Sequence, residues 1–472
     1  MEKLLDHLYV VIAVVLLFGA TIFVHEFGHF IVALWRRMRV EAFAIGFGPK
    51  IWSTTRRGIE YSIRWIPAGG FVKLPQMLTS DALEGATDHG QPIPPAPPAS
   101  KILVAIAGPL MNVIFAFVVA TIIYFVGLPM LVNPSIIGHV DPDSDEYAQG
   151  IREGDRVVEV DGRKVTTWQD VHEITILSRH SELPVVIEHD GEHLTCQLKT
   201  RISEELGLKM LNLEPRDHPE VIEVMDGGAG QEAGLQKGDV VLSFAGVPIA
   251  SRDQFIKLIK GRPDEPSAMV VNRNGEETPL TIKPKKMPDG EGLIGVIVGN
   301  TTVSVYEVMR PGPTPWAQVW GVWDKTIRTL SALFHSKETG VGAKDLSGPV
   351  GILAMLGAWV KTDYRLALSF LVLLNVNLAI LNLLPVPVLD GGHVLMSILE
   401  KIRGRPLSRR LVEVVSTACA LLLIGFMAYV SFYDVFERMS LFRVLYTTDS
   451  QIESVDKTPQ PPIQPETPAP PE

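Results

Sequence analysis

The stretch LYVVIAVVLLFGATIFVHEFGHFIVALW, residues 8–35, decides the class of this protein. No charged side chain precedes the motif HEFGH in it, at residues 25–29, and the apolar run resumes after the motif. About 20 apolar residues are enough for a helix to cross a bilayer. Ionisable side chains at membrane depth cost about 2.5–3.5 kcal/mol each, so those of the motif need a compensating partner.

The composition indicates a membrane protein with several domains. The chain has 472 residues, of which 46% are hydrophobic, and its net charge of −10 argues against a nucleic-acid partner. The first apolar block has no small-residue cleavage site, so we expect it to be retained rather than removed as a signal peptide. Cys196 and Cys419 lie in different environments, which predicts neither a disulfide nor cysteine ligation of a metal. Four blocks are long enough to span a bilayer: 8–34, 102–131, 366–389 and 411–433.

Basic residues predict the orientation of these helices. Arginines follow the first block at 36, 37 and 39, and the link 401–410 between the last two blocks contains five lysines and arginines. Loops on the cytoplasmic side of a membrane are enriched in Lys and Arg. We therefore expect both links in the cytoplasm, and both termini and residues 133–360 on the other side.

The segment between the second and third blocks contains a repeat. GIREGDRVVEVDGRKV at 150–165 resembles GLQKGDVVLSFAGVPI at 234–249. The offset between the two stretches is the size of a small domain rather than of a solenoid unit. Short runs of alternating apolar and polar residues between Asp-Gly and Asn-Gly turns indicate strands. We predict two copies of one small β/α domain, at 133–215 and 216–300.

These copies resemble tandem PDZ domains of the circularly permuted type, because the glycine loops at 206–208 and 292–295 come at the end of each copy. PDZ domains bind an extended peptide as an added strand and hold its terminal carboxylate with backbone amides. The resemblance implies substrate contacts at Gly207 and Gly295. The sequence leaves three roles open: peptide binding, a size filter and a passive spacer.

Other segments differ in character from the repeats. TPWAQVWGVWDKTIRTLSALF at 314–334 places its tryptophans on one apolar helix face, which predicts a helix at the membrane interface; the alternative is a core helix of a soluble domain. The proline-rich segments at 91–100 and 436–472 are expected to be a loose linker and a disordered tail.

HEFGH has the spacing of a zinc site on a helix. His25 and His29 are four residues apart and therefore project from one helix face. Glu26 lies close enough to take a proton from water at such a site. A catalytic zinc ion usually has three protein ligands and one open position, so a third ligand should exist at the same depth.

Asp390 is the candidate for the third ligand. It lies in LLPVPVLDGGH and is the one carboxylate between residues 366 and 393. The predicted orientation places this sequence and HEFGH at the same side of the membrane. We predict zinc as the cofactor, held by His25, His29 and Asp390. The alternatives are that Asp390 is only a turn residue before the two glycines, or that His393 is a ligand.

Taken together, HEFGH, LDGG at 389–392 and the repeats between the second and third helices resemble the site-2 protease family of intramembrane zinc proteases, in its bacterial RseP-type form. The likeness covers nearly the whole chain except the proline-rich segments. GFGP at 46–49 and IPAGGFVKL at 66–74 resemble the family's β-elements that dip toward the active site. AGPLMN at 107–112 resembles its second-helix motif.

The resemblance also implies substrate-binding residues near the third helix: Asn377, Asn382, Pro385 and Pro387. Proline cannot continue a regular helix, and free backbone groups at membrane depth are tolerated only beside a water-lined cavity or protein. The amide of Asn382 could pair with an unwound substrate, although a helix–helix hydrogen bond is the alternative. The hairpin at Gly69 and Gly70 could add a strand to the substrate.

The predicted fold is a polytopic α-helical membrane protein with four transmembrane helices, an inserted pair of permuted PDZ-like β/α domains and membrane-dipping β-elements. Its predicted segments are the first helix with HExxH (1–36), a cytoplasmic hairpin region and linker (37–100), the second helix (101–132), the two PDZ-like copies (133–215 and 216–300), an interfacial helix region (301–362), the third helix with LDGG (363–393), the cytoplasmic link and fourth helix (394–435), and the tail (436–472).

The resemblance implies zinc-dependent cleavage of single-pass membrane proteins, with Glu26 as general base and the PDZ pair as a substrate filter. It implies trimmed anti-sigma factors and remnant signal peptides as substrates, an upstream site-1 protease as a partner, and a bacterial inner membrane location with both termini and the repeats outside the cytoplasm. One alternative is a catalytically silent membrane-anchored tandem-PDZ scaffold, which would have no use for Glu26. A metal or ion transporter is the other, and the lack of a second intramembrane acidic relay disfavours it.

Overall fold

The computed structural model describes residues 2–77, 96–131, 133–203, 208–216, 218–273, 276–288, 290–300, 306–405 and 407–435. The predicted tail, the segment 78–95 with part of the proline-rich linker, and Gly207 lie outside these ranges. Within them, four helices are long and apolar enough to cross a membrane, which confirms the predicted four-span fold. These helices are Leu8–Trp35, Pro98–Val126, Tyr364–Asn382 and Val412–Tyr433.

The first membrane helix packs against a bent hairpin and the second membrane helix. Residues 42–45 pair on one side with 60–63 and on the other with 70–73, so the hairpin makes a small sheet with 70–73 at one edge. Gly46 has a φ of +88°, which suits glycine and allows the first strand to bend there. The elements are α1 (Glu2–Trp35), β1 (Ala42–Arg56), β2 (Ile59–Lys73) and α2 (Pro98–Val126).

The first repeat, residues 133–216, is a β/α domain with its own core around Val157, Trp168 and Leu183. Helix α4 (Trp168–Leu177) begins at a capping box formed by Thr167 and Asp170. Its sheet has the order β6-β5-β7-β8-β9, and β4 pairs with β10. The elements are β3 (Leu128–Leu131), which precedes the repeat, β4 (Ile137–His139), α3 (Asp145–Ala148), β5 (Arg156–Val160), β6 (Arg163–Lys164), α4 (Trp168–Leu177), β7 (Glu182–His189), β8 (Glu192–Ile202), β9 (Lys209–Leu211) and β10 (Glu214–Pro215).

The second repeat, residues 218–300, follows the same order of elements with one additional strand near its end, around a core that includes Phe244 and Phe255. Its sheet has the order β15-β14-β12-β11-β18, with β13 on β12. Its β12 and β15 follow β5 and β8 at the same offset that separates the two sequence repeats. The elements are β11 (Pro219–Val224), α5 (Ala229–Glu232), β12 (Val240–Phe244), β13 (Val247–Pro248), α6 (Arg252–Lys260), β14 (Ser267–Arg273), β15 (Glu276–Ile282), β16 (Lys285–Lys286), β17 (Gly292–Leu293) and β18 (Val296–Asn300).

The chain returns to the membrane helices through a strand that pairs with β3, so the two ends of the repeat region lie side by side. Helix α9 (Pro349–Thr362) is apolar but shorter than a span, and it lies in the predicted interfacial helix region 301–362, where the sequence predicts only the helix at 314–334. The third apolar block, 366–389, is one helix only as far as Asn382. The elements are β19 (Tyr306–Met309), α7 (Pro315–Phe334), α8 (Ser336–Thr339), a 3₁₀ turn (Ala343–Asp345), α9 (Pro349–Thr362), α10 (Tyr364–Asn382), α11 (Asp390–Arg403) and α12 (Arg409–Tyr433).

Candidate metal centre

His25 and His29 lie one turn apart on α1 and face the start of α11. Nε2 of His25 is 3.2 Å from Oδ2 of Asp390, and Nε2 of His29 is 3.3 Å from Oδ1 of the same carboxylate. The two Nε2 atoms are 3.2 Å apart. Among the described residues, these three make the one group of metal-ligating side chains whose ligand atoms all lie within 4.8 Å of one another.

Asp390 reaches the histidines because the chain leaves the helical conformation between α10 and α11. The connecting segment 383–389 contains two prolines, which interrupt the helix, and it folds back tightly against the start of α11. A Cβ atom on Gly391 or on Gly392 would lie 2.2 Å from a backbone carbonyl oxygen of this segment. Asp390 therefore opens a helix, where the sequence suggests that it ends one.

Helix α2 lies behind both imidazole rings. Nδ1 of His29 donates a hydrogen bond to the carbonyl oxygen of Val104 at 2.8 Å, and Nδ1 of His25 lies 3.1 Å from Nδ2 of Asn112. Between them, Gly108 leaves the space that the rings occupy, since a Cβ atom there would be 2.3 Å from Nε2 of His29. The three positions on α2 are spaced by four residues and so share one helix face.

Glu26 lies beside this group without belonging to it. A Cβ atom on Gly70 would be 2.9 Å from Cγ of Glu26, so the edge segment 70–73 of the hairpin passes next to the carboxylate. Gly69 has a φ of +147°, and a Cβ there would be 2.1 Å from the ring of Phe47. Substitution of either glycine would therefore displace the segment from its place beside α1.

The predicted substrate-binding residues of the third helix fall at different places. Asn382 ends α10, and its Nδ2 is 3.4 Å from Nε2 of His25. Asn377 lies further up the helix, where its Oδ1 accepts a hydrogen bond from Oγ1 of Thr326 on α7. Pro385 and Pro387 are in the connecting segment between α10 and α11. Of these four residues, Asn382 is the one whose side chain makes a hydrogen-bond contact with a metal-ligating residue in the described structure.

Gly295 and His393 are not members of that group. Gly295 belongs to the second repeat and has a φ of +68°, and a Cβ on it would be 2.9 Å from Cα of Gly228. His393, the alternative ligand, faces a small cavity lined also by Lys101 and Glu400. Its ring is not among the atoms that converge with Asp390.

The roles of Val104, Gly108 and Asn112 have no counterpart in the sequence predictions, where 107–112 appears only as a motif. The spacing of the three residues is visible in the sequence, but the side of α2 that faces α1 is not. Since α2 is apolar nearly all round, its pattern does not distinguish a lipid-facing side from a buried one.

The converging side chains fit a zinc ion. Two imidazole nitrogens and one carboxylate oxygen are ligands of catalytic zinc sites, in which a fourth position stays open for water or substrate. Atoms bound to one tetrahedral zinc ion at about 2.0–2.1 Å lie about 3.3 Å from each other. Here the two imidazole nitrogens are 3.2 Å apart, and the two oxygens of Asp390 lie 3.2 Å from His25 and 3.3 Å from His29, one oxygen facing each ring. The hydrogen bond to Val104 keeps the proton of His29 on Nδ1 and leaves Nε2 with its lone pair for a metal.

A HExxH motif inside a membrane helix, with a carboxylate from the start of α11 converging on it, defines a zinc metalloprotease whose active site lies in the membrane. Comparison with known proteins identifies the family. Residues 13–426 match peptidase family M50, and the chain belongs to this family. It is an intramembrane zinc metalloprotease of the site-2 type, an integral protein of the inner membrane, and acts on membrane proteins.

The relatives are similar over most of their length. Protease RseP of Yersinia pestis is 32% identical over 89% of this chain and 97% of its own. The regulator of sigma-E protease RseP of Escherichia coli K12 is 30% identical over 88% of this chain and 96% of its own. A Vibrio cholerae protein whose name includes zinc metalloprotease is 30% identical over 91% of this chain and 99% of its own.

A solved structure is also similar to part of the chain. It is the PDZ domain of an SdrC-like protein from Listeria monocytogenes, which is 20% identical and covers 17% of this chain and 87% of that domain, with a TM-score of 0.16. A likeness of that size adds nothing to the description of the two repeats given above.

Proposed function

We propose that this protease cuts single-pass membrane proteins within or near their transmembrane segment, with zinc held by His25, His29 and Asp390 and with Glu26 as the general base. The observation that carries the proposal is the convergence of the three ligand atoms within 4.8 Å, where both histidines lie in the membrane helix Leu8–Trp35 and the aspartate begins α11. Buried ionisable groups at membrane depth are rare unless they pair with one another or serve a function. Here the histidines are paired with Asp390, and the same three side chains are the proposed metal ligands.

The chemistry follows from the positions of these side chains. When bound, zinc supplies Lewis acidity, which polarises a carbonyl group and makes water a stronger acid. Glu26 is on the same helix as His25 and His29, and its carboxylate lies beside the ligands without being one of them. It can therefore take a proton from water and later give it to the departing amine. The three ligand side chains fix the place of reaction, and the surrounding helices limit the access of bulk water.

The substrate must be extended at the bond that is cut, because the peptide groups of a helix are shielded. Residues 70–72 of the hairpin edge support such binding, since among the described residues they pair with 43–45 on one side only, and Gly70 lies beside Glu26. An extended chain could pair with this edge as an added strand. The amide of Asn382, 3.4 Å from His25, could hold the opposite side of the same substrate backbone.

The test of the catalytic proposal is Glu26→Gln. We expect this variant to lose cleavage of a tagged single-pass substrate by at least about 100-fold, which is the low end of general-base contributions. Zinc content of the purified variant should stay at the level of the parent protein, because Glu26 is not a ligand. Glu413→Gln, at an exposed position near the start of α12, is the matched control and should retain activity. Full activity of Glu26→Gln would refute the role of Glu26.

We also propose that the two repeats act as a filter that admits substrates already trimmed by an upstream protease, such as trimmed anti-sigma factors or remnant signal peptides. The topology that this requires places the repeats and both termini outside the cytoplasm. The first repeat is attached to α7 by two ion pairs of Glu173, to Lys325 at 2.6 Å and to Arg328 at 3.3 Å. A further pair joins Arg163 to Asp324 at 2.7 Å.

Helix α7 in turn is attached to the membrane helices. Gln318 donates to the carbonyl oxygen of Ala120 on α2 at 3.1 Å, and Thr326 bonds to Asn377 on α10. Trp316 and Trp320 of α7 are 65% and 56% exposed on one face, which suits a helix at the membrane interface. These contacts support a filter held at a set place above the membrane helices, where a large outer domain of a substrate would collide with it.

Deletion of residues 133–300 tests the filter. Because β3 and β19 already pair, with Leu131 opposite Tyr306, residues 301–305 can join the two strands after the deletion. We expect the shortened enzyme to cut trimmed substrates as before and to cut untrimmed ones as well. The same deletion with Glu26→Gln measures background proteolysis. If the active shortened enzyme still refuses untrimmed substrates, selectivity lies outside the repeats.

Peptide capture by the repeats needs a test that leaves the glycine loops intact. Replacing Gly295 would distort its loop, because its φ is positive and a side chain would meet Gly228. A loss of activity in such a variant would not separate binding from misfolding. Competition by a free peptide with a terminal carboxylate is the cleaner test: capture predicts slower cleavage of trimmed substrates, and a size filter predicts no change.

A further inference from the structure

The two imidazole rings of the metal centre are held from behind by different kinds of group on α2. His29 has the carbonyl oxygen of Val104 at 2.8 Å from its Nδ1, whereas His25 has the side-chain amide of Asn112 at 3.1 Å from its Nδ1. Asn112 is completely buried within the second membrane helix. A polar side chain in that position requires a partner, and the ring of His25 is the one it faces.

The hydrogen-bonding roles of these partners decide which ring nitrogen can bind a metal. A carbonyl oxygen only accepts, so Nδ1 of His29 carries the proton and Nε2 is free for a metal. An asparagine amide can accept through its oxygen or donate through its nitrogen. If the nitrogen faced His25, Nδ1 would be the acceptor and Nε2 would carry the proton, and Nε2 could not bind a metal.

The orientation of the Asn112 amide must therefore be inferred from the whole network, since oxygen and nitrogen are nearly equivalent in shape. As placed, Oδ1 of Asn112 is buried and has no hydrogen-bond partner among the described residues, and Nδ2 faces a ring nitrogen. Turning the amide brings Oδ1 to Nδ1 of His25. His25 then has the same tautomer as His29, and both Nε2 atoms present lone pairs toward the place where Asp390 converges.

We propose that Asn112 is a positioning residue that fixes His25 in the tautomer with the proton on Nδ1, with the amide oxygen as acceptor. This inference rests on the proposed function, because it assumes that His25 is a metal ligand. Gly108 and Val104 complete the same helix face, so one side of α2 makes room for both rings and orients them. Residues that orient metal-binding histidines in this way commonly affect metal affinity by about 10–100-fold.

Three substitutions separate orientation of His25 from simple helix packing. Asn112→Asp leaves only acceptor oxygens, whereas Asn112→Leu has a similar volume and no acceptor, and Asn112→Ala removes the polar group without adding bulk. The matched control is Asn375→Leu on α10. Asn375 is also completely buried and makes hydrogen bonds to Thr21 and to the carbonyl oxygen of Leu371, but it does not contact the histidines.

The measurement is the zinc affinity of the full-length purified protein, obtained by equilibrium competition with a chelator, together with the visible spectrum of the cobalt-substituted protein. We expect Asn112→Leu and Asn112→Ala to bind zinc about 10–100-fold more weakly and to change the cobalt spectrum. Asn112→Asp should bind zinc within a few-fold of the parent protein, and Asn375→Leu should bind zinc normally.

Two outcomes would overturn the proposal. Normal zinc affinity in Asn112→Leu and Asn112→Ala would show that no orientation is needed. A loss in Asn112→Asp as large as in Asn112→Leu would show that the amide acts as a donor. Asp390→Ala, measured alongside, separates this inference from the proposed function: if it too binds zinc normally, the metal site itself is misassigned, and if it loses zinc while Asn112→Leu does not, only the role of Asn112 fails.

Discussion

Gly108 of α2 lies so close to His29 of α1 that a Cβ atom on the glycine would be 2.3 Å from Nε2 of the histidine. The reverse relation holds for Gly28 of α1, where a Cβ would be 2.4 Å from the carbonyl oxygen of Ala107 on α2. Small residues allow membrane helices to approach closely. These two glycines allow α1 and α2 to pack closely at the level of the metal centre. The same close packing holds the two histidines in position.

We therefore expect Gly108→Ala to lose both zinc and activity. The added methyl group would have to occupy space held by the ring of His29, and real Cβ atoms do not approach other atoms to 2.3 Å. Zinc content by mass spectrometry and cleavage of a tagged substrate measure the effect. Gly19→Ala on α1 is the matched control, since apart from the backbone of its own helix no described atom lies within 4 Å of a Cβ there, and it should behave as the parent protein.

The second prediction separates Asp390 from His393, the alternative third ligand. Asp390→Ala or Asp390→Asn should weaken zinc binding and activity together, because the carboxylate is the group that converges with the two histidines. His393→Ala should leave the metal in place. Zinc affinity and substrate cleavage of the purified variants are the measurements. Loss of zinc from His393→Ala alone would show that the ligand set has been chosen wrongly.

The sequence points to the metal-ligating residues because the physical argument for them is local. His25 and His29 are four apart on one helix, and the cost of burying them demands a partner of opposite charge. Asp390 is the one carboxylate between residues 366 and 393, so the choice of a third ligand is narrow. The four membrane helices are likewise predictable, since length and apolar composition are nearly sufficient for a span.

Other parts of the site depend on which side of each helix meets its neighbours, and the amino-acid composition of an apolar helix does not encode that. Pro385 and Pro387 predict the break between α10 and α11, but not that Asp390 begins a new helix. The sequence predicts Asn377 near the substrate, whereas its side chain bonds to Thr326, because the helix face it occupies is set by the packing of α7. The role of α2 in holding the histidines depends on which of its apolar sides meets α1.

The third prediction concerns the buried ion pair of Lys101 and Glu400, which joins α2 to α11 at 2.9 Å. The side chains are 9% and 7% exposed, and α11 is the helix that begins with Asp390. Removing one partner of a buried pair leaves an uncompensated charge and typically costs about 3–5 kcal/mol. We expect Lys101→Met to lower the free energy of unfolding in detergent by about that amount and to reduce activity by shifting α11.

The double variant Lys101→Met, Glu400→Leu tests whether the unpaired charge left on Glu400 causes the loss of stability. Replacing both partners by apolar side chains of similar size is often close to neutral. The double variant should therefore recover most of the stability that Lys101→Met loses. Lys401→Met, at the exposed neighbouring position, should have no effect on unfolding. If the double variant is as unstable as the single one, the pair is not the source of the effect.

The last prediction compares equivalent positions in the two repeats. Asp155 and Asp239 correspond in the aligned sequence repeats, and each accepts a backbone N–H bond from the residue three positions earlier. Their side-chain partners also occupy corresponding positions but differ in kind. Nδ1 of His189 lies 2.6 Å from Asp155, whereas the guanidinium of Arg273 lies 2.7 Å from Asp239. The first repeat therefore has a partner that titrates near neutral pH, and the second has one that does not.

The hydrogen bond to Asp155 and its negative charge raise the pKa of His189 above its ordinary value; Asp190 adds to this and Arg152 opposes it. A pKa raised by folding means that the stabilisation is complete below about pH 6.5, the value for unfolded histidine, and is lost as pH rises through the folded pKa. Burial raises the pKa of Asp239, but hydrogen bonds from Arg273 and from the Gln236 amide lower it by more than burial raises it. The pKa of Asp239 is therefore below its ordinary value. That stabilisation is lost only under acid conditions.

We therefore expect the first repeat to lose stability between about pH 6.5 and the raised pKa of His189, while the second repeat stays constant over the same range. Amide hydrogen exchange of β5 and β7 in the full-length protein, corrected for the intrinsic effect of pH and compared with β12 and β14, measures this difference directly. His189→Arg gives the first repeat the partner of the second and should abolish the pH dependence without lowering protection at pH 6. If β5 and β7 lose protection with rising pH in that variant as in the parent, another group is responsible and the pairing of Asp155 with His189 is not the pH-sensitive contact.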